Sequence, residues 1–64
     1  MMTYDDAIAR LLILESNKNE PHDFSLPDFD QDSVKDTAIR LINNGAIDAE
    51  IIEDYSSVIG ITFE

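Results

Sequence analysis

Any chemistry in these 64 residues falls to carboxylates: the chain has fourteen Asp and Glu, one His and no Cys. The densest acidic run is Asp28-Phe29-Asp30-Gln31-Asp32. It has the alternating acids that open an EF-hand calcium loop, but that loop also needs Gly at its sixth position and Glu at its twelfth. Ser33 and Ile39 stand there instead. The three acids suit the start of a helix, where the backbone dipole favours negative charge. His22 stands beside Asp23, with Ser16 and Ser25 near in sequence. A Ser-His-Asp triad also needs an oxyanion hole on a rigid scaffold, and no nucleophile-elbow motif is present to supply one. One histidine without cysteine does not build an ordinary zinc site, so His22 reads as a solvated loop residue. Neither Gly45 nor Gly60 belongs to a phosphate-cradling loop. The expectation is a protein that is not an enzyme and takes no metal or cofactor.

The same carboxylates dominate the electrostatics. The net charge is −10 and the sequence pI about 4.1. The four bases, Arg10, Lys18, Lys35 and Arg40, are scattered along the chain. Polyphosphates are bound by neutralising their charge with Lys and Arg, so direct nucleic-acid binding is disfavoured. Anionic membrane surfaces are disfavoured for the same reason. The complement is a protein partner with a basic surface, met by Asp23, Asp28, Asp30, Asp32 and Asp36, and by Asp48, Glu50, Glu53 and Asp54 on the outer side of a C-terminal hairpin. The residues before Ala7 carry acids where a secretory signal carries bases. The longest apolar run, Leu11-Leu12-Ile13-Leu14, is far shorter than a membrane span. A cytoplasmic location is expected.

These acids must be held by a small α+β fold, read as one domain over residues 1–64. The clearest element is a helix over residues 30–44. Asp30 is its N-cap, Phe29 and Val34 occupy the positions of a hydrophobic staple, and Val34, Ala38, Leu41 and Ile42 form one apolar face. Asn44-Gly45 supplies the stop. An earlier helix is expected over residues 4–16, capped by Thr3, with Tyr4, Ile8, Leu11 and Leu12 inward and Ala7 and Leu14 at the edge. Ile13 and Ile39 fall off these stripes, as partner or core contacts. Residues 17–29, with two prolines, break the helical period. They read as an ordered loop or short strand that lays Phe24 and Phe29 on the helices, with exposed anchors for a partner as the alternative. After Gly45 the period changes to two. Residues 46–53 and 58–64 read as an antiparallel hairpin, turning at residues 54–57. A short third helix capped by Asp48 is the alternative for the first of these runs. Gly60 inside a strand points to a bulge or a close approach, and the final strand is expected at a sheet edge, open to pairing. A chain this short buries only about 60% of its unfolded surface, which leaves room for a homodimer or a partner to complete it.

The order helix, loop, helix, hairpin resembles a winged-helix domain over residues 30–63. Leu41-Ile42-Asn43-Asn44-Gly45-Ala46-Ile47 is similar to that family's stop after the recognition helix, and Ile59-Gly60-Ile61-Thr62 to its second wing strand. The resemblance implies DNA binding through the helix. That helix carries Arg, Lys or Asn in the family, whereas here it offers Asp30, Asp32 and Asp36 against Lys35 and Arg40, so no DNA-contacting residue is carried over. In size and charge the chain resembles small phage anti-defence proteins, including anti-CRISPRs. That resemblance implies inhibition of a nucleic-acid-binding protein by charge mimicry, the leading expectation. A dimeric winged-helix transcription regulator and a structural subunit adding its last strand to a partner sheet are the alternatives.

Overall fold

Each helix begins at an aspartate. The computed structural model describes residues 4–53 and 58–64. Helix α1 spans Asp6–Ser16 and is capped by Asp5, whose carboxylate accepts the Ala7 and Ile8 N–H groups at 2.8 and 3.3 Å. The expected cap, Thr3, lies outside the described residues. Asp5 turns out of the helix to meet the first-turn donors, so α1 starts two residues later than expected. Ile8, Ala9 and Leu12 are buried, while Ala7 is exposed and Leu14 is 62% exposed. At roughly 100° per residue, the buried arc centres between Leu12 and Ala9, which turns Ala7 and Leu14 to solvent.

Helix α2, Gln31–Asn43, has the predicted ends. Asp30 accepts the Ser33 N–H at 3.1 Å. Val34 is fully buried, with Phe29 packed against the same core. Gly45, at φ +75°, donates to the Ile42 carbonyl, and Ala46 to that of Leu41. These paired bonds are the Schellman closure of a helix. The face differs in one residue. Thr37 is fully buried, and Ile42 only half. The Thr37 hydroxyl accepts the Asp5 N–H at 3.0 Å, which fastens the start of α1 to the middle of α2.

Strands β1 (His22–Ser25), β2 (Ala49–Ile52) and β3 (Gly60–Phe63) form an antiparallel sheet in the order β1-β3-β2. The hairpin is present, with strands shorter than expected, and β2 stands where a third helix was the alternative. The turn at residues 54–57 lies outside the described residues. Part of the proline-containing connection is a strand, and Phe24 and Phe29 are half-buried against the core. Three expectations fail. β3 is the central strand, because β1 occupies the edge that the hairpin alone would leave open. Gly60 pairs in regular register with both neighbours, without a bulge. His22 is a strand residue, not a solvated loop histidine; its ring stacks on Phe63, centroids 5.0 Å apart.

Side chains alternate across a strand. Phe24, Ile61, Phe63, Ala49 and Ile51 therefore point to the helices, where they close one core with Ile8, Leu12, Val34, Ala38 and Leu41. The other face has no layer over it among the described residues. Gln31 joins the two layers. Its amide donates to the Leu26 and Phe29 carbonyls, each at 2.8 Å, and its oxygen accepts the Ile59 N–H at 2.8 Å.

Candidate partner-binding surface

The strand register sorts the acids. On the uncovered face, Asp23, Thr62 and Glu50 form one row across β1, β3 and β2, and Ser25, Gly60 and Ile52 form the next. The Glu64 N–H donates to the Asp48 carbonyl at 3.1 Å, which continues the β2–β3 ladder. By the same alternation Asp48 and Glu64 share this face. One end of the face thus presents Asp23, Asp48, Glu50 and Glu64. The other presents Ile52, Gly60, Pro27 and Val58, which with Asp23, Ser25 and Thr62 line an open cavity of about 560 Å³. The Thr62 hydroxyl donates to Asp23 at 3.0 Å and holds that carboxylate at the rim.

The remaining predicted residues lie elsewhere. Asp28 and Asp30 precede α2, and Asp32 and Asp36 are on it. Glu53 was expected on the outer side of the hairpin with Asp48 and Glu50. It turns to the helix side, because it is an odd number of residues from both, and accepts from Lys35 at 2.6 Å. That hydrogen bond and the Glu53 charge hold the Lys35 ammonium above its ordinary pKa, with Asp36 and Asp32 adding to the effect. Asp30 is occupied with the helix cap and also accepts the Ser33 hydroxyl at 3.0 Å. Asp54 lies outside the described residues.

A second constellation was not legible as one. His22 Nδ1 lies 2.8 Å from the Glu20 carbonyl and Nε2 lies 3.0 Å from Glu15, which also pairs with Lys18 at 3.0 Å. The Glu20 carbonyl, then Glu15, raise the His22 pKa above its ordinary value. The Lys18 hydrogen bond, then His22, lower that of Glu15. This clasp ties the end of α1 to β1. Among the described residues no three His, Asp or Glu side chains converge to hold a metal ion, and no helix is long and apolar enough to cross a membrane.

The charges separate by layer. Three of the four bases, Arg10, Lys35 and Arg40, lie within α1 and α2 beside four acids, Asp6, Glu15, Asp32 and Asp36, and Lys18 follows α1. Among the described residues, the uncovered face of the sheet carries Asp23, Asp48, Glu50 and Glu64 and no base. No family model matches the chain, and comparison with curated proteins and with solved structures finds no match.

Proposed function

We propose that this chain is a small non-enzymatic interaction module that binds a basic protein surface, and that it acts as an inhibitor by occupying a nucleic-acid site through charge mimicry. The reading is supported by the charge of the uncovered sheet face: among the described residues it carries Asp23, Asp48, Glu50 and Glu64 and no base, against four acids and three bases within the two helices. A uniformly acidic protein kept soluble by its charge has no need of that division. A one-signed face steers a basic partner and fixes its orientation. The uncovered sheet face, with Asp23, Asp48 and Glu50, is the binding side. Asp28 and Asp32 extend the acidic surface beyond it, and Asp30 is spent on the helix.

The test is capture by the immobilised chain of proteins from a lysate of the producing cell, with and without added duplex DNA. Recovery of a nucleic-acid-binding protein that DNA displaces, and that is lost with Asp23→Asn/Asp48→Asn/Glu50→Gln, is the expected result. A salt-resistant, non-basic partner would overturn the reading. Salt-dependent binding of the free chain to duplex DNA would replace it with a winged-helix regulator.

A further inference from the structure

Gly60 sits in the central strand with no structural need to be glycine. Its φ lies outside the left-handed region, and a Cβ built there would meet only the Ile52 side chain and carbonyl at 3.6 Å, an ordinary contact. Glycine within a strand weakens it, so a side chain here would favour the fold. What the missing side chain does provide is the floor of the open cavity, with Ile52 of β2 on one side and Ser25 of β1 on the other, and with Pro27 and Val58 also in its lining. Ile52 is 45% exposed at its wall. Two residues further along β3 the row Asp23–Thr62–Glu50 begins.

Resting on the acidic-module reading, we propose that this trough is a docking site for an extended segment of the partner. One apolar side chain lies over Gly60, and an arginine two residues away lies on Asp23. The spacing carries the assignment. Adjacent rows of the sheet stand about 6.6 Å apart, at roughly 3.3 Å per residue, which is also the separation of residues i and i+2 in an extended peptide. Both side chains of such a pair point to the same side, so the apolar group and the guanidinium reach their rows together. The Asp23 carboxylate, oriented by Thr62, meets the planar fork of an arginine, which suits a fixed carboxylate better than the point charge of lysine. Glu50, about 10 Å away across two strand spacings, adds attraction without contact. A surface that only imitates the charge of nucleic acid has no use for the trough, so the segment's recognition has an apolar component besides its charge.

Two blocked pentapeptides of equal charge and composition test this by NMR titration of the full chain. They are acetyl-Ala-Leu-Ala-Arg-Ala-amide and its isomer acetyl-Ala-Ala-Leu-Arg-Ala-amide, in which Leu and Arg are adjacent. The first is expected to bind about tenfold more tightly and to shift the amides of Asp23, Ser25, Ile52, Gly60 and Thr62. Gly60→Val, which fills the floor, and Asp23→Asn, which keeps the Thr62 bond, are each expected to weaken it about tenfold. The Asp23 variant decides the matter if the valine fails to fold. Equal binding of the isomers, or variants that bind as the wild type does, would overturn the trough. Poly-L-arginine separates the two readings. If it binds wild type and Gly60→Val equally at low salt while the isomers do not differ, the acidic module stands and the trough falls. If it does not bind at all, both fall.

Discussion

Both ring nitrogens of His22 face acceptors, a peptide carbonyl and a carboxylate. A neutral imidazole has one N–H and satisfies one of them; the imidazolium satisfies both. The raised His22 pKa means that the charged form is favoured by folding. Its contribution is therefore complete below about pH 6.5, the ordinary histidine value, and is lost as the pH rises through the folded-state value. Glu15 works in the opposite sense. Its lowered pKa gives a contribution present above its ordinary 4.5 and lost as the pH falls through the folded-state value. The clasp is strongest between these limits. Urea denaturation is expected to give greater stability at pH 6 than at pH 8.5, and His22→Gln is expected to remove most of that difference. If the variant keeps the full difference, the clasp is not its source. Thr37 makes a related point without charge. Its hydroxyl accepts the N–H of Asp5, the capping residue of α1, and Thr37 itself is fully buried.

At the scale of elements, α2 was legible from its sequence and β1 was not. The signals for α2 are local: Asp30, Phe29, Val34 and Gly45 lie within a few residues of the ends they set. Gly45→Ala probes the stop by itself. A Cβ there meets nothing within 4 Å, so the penalty is the left-handed backbone alone, about 1 kcal/mol. Equilibrium unfolding in urea should show a lower midpoint with an unchanged slope, and an unchanged midpoint would contradict the assigned stop. Strand β1 has one apolar residue, Phe24, and its partners lie in β3, far along the chain. Nothing within four residues of sequence announces that pairing, so an ordered loop and a short strand read alike. The central place of β3 was hidden for the same reason, since a hairpin taken alone leaves its last strand at an edge. Most of the acids proposed from the sequence are at the surface. Which of them share a face depended on strand register, and so Glu53 was assigned to the wrong side. Gln31 and Thr37 gave no sequence signal, because a polar residue that spans two layers looks like any other surface residue.

At the scale of the molecule, charge and size act together. The radius of gyration is 10.6 Å, close to the Debye length of about 10 Å at 0.1 M salt. At low ionic strength, then, carboxylates on opposite sides of the molecule still repel one another. With a net charge of −10, the folded state is expected to gain stability as sodium chloride rises from about 0.02 M to about 0.5 M. Thermal unfolding would show this as a rising midpoint, with a smaller rise in Asp48→Asn/Glu50→Gln. A midpoint that falls with salt would mean that the ion pairs of Glu15 and Lys35 outweigh the repulsion. The salt that weakens partner binding would thus strengthen the fold, and the two effects can be read apart.

The strand order also bears on synthesis. β1 and β2 are not neighbours in the sheet; each pairs with β3, whose residues leave the ribosome last of the three. Until they emerge, the nascent chain has two helices and two strand segments without partners. The sheet then forms in one step around its final strand, which has to enter between two segments already made. While that gap is open, the unpaired edges of both segments can pair with another chain's strand. Until that gap is filled the chain carries an unfinished sheet, and this is the state in which it would be expected to aggregate.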